Sequence, residues 1–229
     1  MMRSVVDLSH PITDGMVTVP GLPGPKIGQF RSHAESAPNY APGTSFQFGH
    51  FDMISQTGTY LDSPFHRYPD GVDLSGLPLA STVDLPIELI TAGGPVDAST
   101  LEGRDVEGKA VLFQTGWDRH WGTAAYAVGH PHITRDGAHY LADNGAVLVG
   151  FDASNVDDTT DPERPAHTVL LGRGVVVVEH LRGLDRLPHD LRHWRFHAAP
   201  LAVAGMGTSP VRAYAVLVSS PTSESVPSS

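Results

Sequence analysis

Asp62, His66, His167 and Glu179 are the side chains of this sequence best suited to act together on a small molecule. Asp62 and His66 lie four apart in a stretch stiffened by Pro64. Gly58, just upstream, permits backbone conformations closed to other residues, so a ligand-binding turn fits there. A carboxylate and an imidazole are donors for a hard or borderline divalent ion such as Zn²⁺ or Mn²⁺. His167 lies near a predicted helix. Glu179 ends the apolar run Val175-Val176-Val177-Val178, where a carboxylate is costly to desolvate unless it is partnered. Each residue also has a plainer reading: Asp62 as a turn residue before Pro64, His66 as a solvated loop histidine, His167 as a helix flank, Glu179 as an ordinary strand-end charge.

The elements that must carry these groups are short. Val111-Leu112-Phe113, Ala146 to Phe151 and Val175 to Val178 are apolar or β-branched runs bounded by glycine, and they read as buried strands. Phe196 to Ala204 and Val211 to Val218 read as late strands separated by a turn at Gly205-Met206-Gly207. Thr134 to Asn144 has helical character, with Thr134 as N-cap and Gly145 past its end. A shorter helix is expected over Ala166 to Leu171, closed by Gly172 and Gly174. The first 95 residues are rich in Gly and Pro and predict short strands and ordered loops. Together these give an α/β or α+β class. A single domain over 1–218 is expected, followed by a disordered Ser/Pro-rich tail at 219–229.

Composition narrows the function. The formal charge of −10, with 15 basic residues and no basic run, argues against nucleic acid. No stretch is long and apolar enough to span a bilayer, and no basic-then-apolar leader opens the chain, so a cytoplasmic protein with no membrane partner is the expectation. The absence of cysteine excludes disulfides and thiolate chemistry. Among the 13 histidines, His120, His130, His132, His139, His189 and His193 sit in polar, turn-rich sequence and are expected at the surface.

The run Gln56-Thr57-Gly58-Thr59-Tyr60-Leu61-Asp62-Ser63-Pro64-Phe65-His66 resembles the motif His-x-Gly-Thr-His-x-Asp-x-Pro-x-His of the cyclase family, which includes kynurenine formamidases and isatin hydrolases. His167-Thr168-Val169-Leu170-Leu171 with Glu179, Thr115-Gly116-Trp117, Gly150 to Asp157, Ser209 to Ala213, and Asp7 to Ile12 with Pro20-Gly21 resemble further family segments in the same order. The resemblance covers roughly residues 5–218. It implies a β-rich α/β chain with the swivelling β/β/α fold of that family, assembled as a homodimer or homotetramer. It also implies that Asp62, His66, His167 and Glu179 belong to the site. Gln56 and Tyr60 stand where the family places two metal-binding histidines. An amide and a phenol are poor substitutes for imidazoles, so the metal site is altered.

Three functions follow. In the first, no cofactor is favoured and the small-molecule substrate undergoes cyclisation, dehydration or isomerisation, as in natural-product tailoring. His66 or His167 then serves as base, Glu179 or Tyr60 as acid, and Gln56, Thr59 and Tyr60 bind substrate. In the second, a single Zn²⁺ or Mn²⁺ held by Asp62, His66, His167 and Glu179 assists hydrolysis of an N-formyl arylamine or cyclic amide. The third is a non-catalytic binding protein, against which the joint retention of those four residues argues.

Overall fold

The computed structural model describes residues 4–218, so the expected tail at 219–229 lies outside the described residues. Its centre is four parallel strands: β5 (Leu85–Thr91), β6 (Ala110–Gln114), β7 (Leu148–Phe151) and β8 (Val176–Glu179). Helix α3 (Arg135–Asp143) connects β6 to β7, and α4 (Pro165–Gly172) connects β7 to β8. Strands buried on both faces need apolar side chains in both phases of the pleat, which is why these segments read as unbroken apolar runs. Val111, Phe113, Val149, Phe151 and Val177 enter a core shared with Leu141 of α3 and Leu170 of α4. Ala110, Leu112, Leu148, Val176 and Val178 enter a second core with Leu61, Trp194 and Phe196.

Antiparallel strands extend the sheet on both sides. Beyond β5 lie β9 (Trp194–His197), β11 (Tyr214–Leu217) and β1 (Val5–Asp7); beyond β8 lie β4 (Tyr60–Asp62) and β10 (Thr208–Pro210), making nine strands. Strands β2 (Lys26–Arg31) and β3 (Phe48–Asp52) form a separate hairpin, exposed along its whole length. Helices α1 (His33–Ser36) and α2 (Ala98–Leu101) are single turns.

Thr134 caps α3 as the sequence implies, its hydroxyl accepting the Gly137 N–H at 3.3 Å. Three expectations need correction. The late strand expected over Phe196 to Ala204 ends at His197; Pro200 cannot donate to a ladder, and the chain leaves the sheet. The strand expected over Val211 to Val218 is β11, paired with β9, and the segment just after Gly207 forms a further, unexpected strand, β10, paired with β4. His130 is buried, not at the surface, and its Nδ1 bonds the Pro131 carbonyl at 2.8 Å. His120 and His132 are half-buried, whereas His139, His189 and His193 are exposed.

Candidate active site

Register builds the site. Tyr60 pairs with Glu179 and with Pro210, and Asp62 pairs with Val177 and with Thr208. Because side chains alternate along a strand, Tyr60, Asp62, Glu179 and Thr208 share one face, and Leu61 turns to the opposite core. Helix α4 covers the shared face and brings His167 over it. Two glycines allow the close approaches. Gly58 adopts φ +68°, and a side chain on Gly207 would lie 2.4 Å from the His66 backbone nitrogen.

Asp157 orients His167. Its carboxylate accepts the backbone N–H groups of Ala166 and His167 at 2.6 and 3.1 Å, satisfying the first turn of α4, and accepts His167 Nδ1–H at 2.6 Å. His167 Nε2 therefore faces Asp62 Oδ2 at 3.6 Å and Glu179 Oε1 at 3.7 Å, both too long for hydrogen bonds. Burial alone would lower the His167 pKa, but the Asp157 bond and the negative charges of Glu179 and Asp62 outweigh it and raise it to about 10. Burial raises Glu179 to about 7, against the opposing pull of His167 and of its hydrogen bonds.

Thr208 donates to Asp62 Oδ1 at 2.5 Å and lies 2.9 Å from His66 Nδ1. With its single proton on Asp62, Thr208 accepts from His66 Nδ1–H, so in the neutral ring Nε2 is the nitrogen that carries the lone pair. Tyr60 donates to Glu179 Oε2 at 2.6 Å. Burial and the neighbouring carboxylates keep its phenol neutral, with a pKa well above the ordinary value. Behind it, Tyr126 and Tyr60 bond the two nitrogens of His180 at 2.8 and 3.3 Å.

A cavity of about 360 Å³ opens onto this cluster. Gln56, Tyr60, His66, His167 and Glu179 line it, together with Asn155, Arg67, Arg164, Val19 and Leu22. Asp62 lies buried beneath it. Five of the seven expected site residues thus reach the cavity and Asp62 supports them. Thr59 is the exception. It is buried outside the lining, its hydroxyl donating to the His180 carbonyl at 2.6 Å and accepting His10 N–H at 3.0 Å, so it fixes backbone rather than substrate.

Asp157, Thr208 and His180 were missed as site residues. Asp157 closes the Gly150 to Asp157 segment and Thr208 precedes Ser209-Pro210, so both had a signal; His180 had none beyond following Glu179. Other motif segments hold the frame. Asp152 accepts the Thr115 and Gly116 N–H groups at 2.8–2.9 Å, and Arg212 pairs with Asp7 at 2.7 Å, joining the two ends of the described chain.

The donor set fits a divalent cation. Among the described residues, ligand atoms of Asp62, His66 and His167 all lie within 4.8 Å of one another. Asp62 Oδ2 is buried with no hydrogen-bond partner and faces only the His167 imidazole at 3.6 Å, a position where a cation could replace the imidazole proton. His10, His33 and His50 do not replace the lost imidazoles. His10 stacks on Trp121 at 3.9 Å, His33 bonds Ser45 at 2.9 Å, and His50 lies on the exposed hairpin.

The sequence profile of the family described as "Putative cyclase" matches residues 6–158. The kynurenine formamidase of Bacillus cereus is 29% identical over 211 residues, covering 91% of this chain and 95% of the relative. That of Salinibacter ruber is 33% identical over 180 residues, covering 74% and 80%. Isatin hydrolase A from Labrenzia aggregata superposes with a TM-score of 0.79 at 22% identity, covering 94% of each chain, which shows the shared fold. A solved structure described as a potential metal-dependent hydrolase with cyclase activity superposes with a TM-score of 0.76 at 26% identity, covering 96% of this chain and all of its own. The chain belongs to the cyclase family, and the relatives named here are hydrolases. Among the described residues, no helix is long and apolar enough to cross a membrane.

Proposed function

We propose that this protein is a metal-assisted hydrolase of a small aryl amide, either an N-formyl arylamine or a cyclic amide. The observation that carries the reading is Asp62 Oδ2, buried without a hydrogen bond and facing His167 Nε2 at 3.6 Å, with Glu179 Oε1 3.7 Å from the same nitrogen. The reactions named for the relatives favour amide hydrolysis over the metal-free cyclisation, dehydration or isomerisation that the altered motif alone suggested.

Asp62, Glu179 and, with its proton released, His167 would supply oxygen and nitrogen donors suited to Zn²⁺ or Mn²⁺, leaving His66 Nε2 for proton transfer. Such an ion supplies Lewis acidity toward a carbonyl and makes water a better nucleophile near neutral pH. The remaining work falls to protein groups. Gln56 and Asn155 present amides that orient the substrate carbonyl. His66 Nε2 takes a proton from the attacking water and returns it to the leaving nitrogen as the C–N bond breaks, giving a carboxylic acid and an amine. Tyr60, unable to act as an anionic ligand, fixes Glu179 instead.

The direct test is turnover of formanilide and of a five-membered aryl lactam, followed by amine release, for the parent protein and Asp62→Asn. Hydrolysis of one of them, lost by about 10²-fold or more in the variant, is expected. No turnover of either with Zn²⁺ or Mn²⁺ supplied would count against the reading. Exposed Ile27, Phe30, Phe48 and Phe51 on the β2–β3 hairpin support the expected homo-oligomer, which light scattering would report as a mass above one chain.

A further inference from the structure

We propose that Arg67 and Arg164 form a carboxylate-binding subsite, so that the substrate is an aryl amide that also bears a carboxylate. The position of the amide in this pose rests on the hydrolase reading above; the anion subsite itself does not.

Both arginines line the cavity that holds His66, His167 and Glu179. Arg104, Arg135, Arg173, Arg192 and Arg212 each pair with a carboxylate. Arg67 and Arg164, like Arg31, Arg119, Arg186 and Arg195, have no such partner among the described residues, but of these six only Arg67 and Arg164 line the cavity. Their few bonds anchor them and leave most donors unused. Arg67 Nε donates to Thr168 Oγ1 at 3.2 Å, with the Tyr68 ring 5.3 Å from its guanidinium carbon. Arg164 donates one Nη1 bond to the Asp158 carbonyl at 3.3 Å.

The backbone of Arg164 points the same way. It is left-handed, at φ 47° and ψ 60°, and its side chain makes no capping bond to α4. Glycine or asparagine would tolerate that conformation at less cost, so the position carries an arginine despite its backbone. Thr168 and Arg164 tie both guanidiniums to α4, the helix that also presents His167. Planar guanidinium forks match a carboxylate in shape and charge. Val19 and Leu22 supply apolar wall for an aromatic ring between the two polar ends.

A competing role is charge balance, in which the arginines merely offset Asp62, Asp157 and Glu179. Calorimetric titration separates the two without requiring turnover. The probes are 2-, 3- and 4-aminobenzoate, with aniline as the uncharged control, and the proteins are the parent and the Arg67→Gln/Arg164→Asn double variant. Asparagine keeps the left-handed backbone accessible. At least one aminobenzoate should bind the parent about 10-fold or more tighter than aniline. The double variant should lose about 10- to 100-fold for that ligand and leave aniline unchanged, and Arg67→Lys should retain part of the difference.

Aminobenzoates that bind no tighter than aniline would overturn the subsite, as would undiminished aminobenzoate binding in the double variant. Equal losses for aniline and aminobenzoate would assign the arginines to charge balance and also overturn it. A protein that hydrolyses no amide yet binds aminobenzoate through these arginines would remove the hydrolase reading and leave the subsite standing.

Discussion

Thr208 and Asp62 face each other across the β4–β10 pair, hydroxyl to carboxylate at 2.5 Å, and the same hydroxyl reaches His66. One side chain thereby sets both the free oxygen of Asp62 and the tautomer of His66. Thr208→Val keeps the shape and removes the hydroxyl. It should lower kcat about 10- to 100-fold, with Thr208→Ser recovering most of it, in steady-state assays of amide hydrolysis. Equal activity of the valine and parent proteins would mean that His66 is oriented by other groups.

Gln56→His combined with Tyr60→His should raise affinity for Zn²⁺ or Mn²⁺ by restoring two imidazoles beside Asp62. It should also cost about 1–3 kcal/mol of stability, because His180 and Glu179 lose the Tyr60 phenol inside the core. Metal titration with a competing chelator and denaturant unfolding measure the two effects. Unchanged metal affinity would show that position 60 no longer addresses a metal.

His180 is a fully buried non-glycine residue at φ 59°. Tyr60 spends its proton on Glu179, so His180 Nε2–H donates to Tyr60 and Nδ1 accepts from Tyr126. Burial holds the imidazole neutral, with a pKa of about 3. His180→Phe leaves two buried phenols short of a partner and should cost about 2–4 kcal/mol in urea unfolding. A loss under 1 kcal/mol would contradict this hydrogen-bond assignment.

His10 gives a pH signature. Burial first, and Arg182 second, lower its pKa to about 4 from 6.5. The unfolded chain takes up this proton as pH falls through 6.5, while the folded protein does not until about 4. His10 therefore removes stability on acidification across that window. His10→Phe, which keeps the stack on Trp121, should flatten the loss between pH 6.5 and 4.5 in urea midpoints. An identical pH slope in the two proteins would refute the assignment.

That Asp62, His66, His167 and Glu179 come together was legible only through the resemblance of their segments to those of the cyclase family, because each residue alone also reads as an ordinary turn, loop, helix-flank or strand-end group. The buried strands β6, β7 and β8 were legible because strands covered on both faces must be apolar throughout; their parallel pairing, and β5 beside them, were not. The pairing of Tyr60 with Glu179 was not, because it joins residues 119 apart and depends on register rather than on local pattern. The same limit hid Thr208, whose role comes from lying opposite Asp62. Thr59 misled because it shares the motif loop, yet alternation along the chain turns it away from the cavity that Tyr60 lines. The strand expected to continue to Ala204 failed at Pro200, where apolar content persists but a ladder donor is missing.

Metal dependence tests the central claim most directly. Protein purified without a metal-affinity tag should contain stoichiometric Zn or Mn by elemental analysis. Exhaustive chelation should stop amide hydrolysis, and returning Zn²⁺ or Mn²⁺ should restore it in the parent but not in the Asp62→Asn/His167→Ala variant. Full turnover by protein shown to be free of metal would contradict the account and transfer the chemistry to His66, Tyr60 and Glu179 alone.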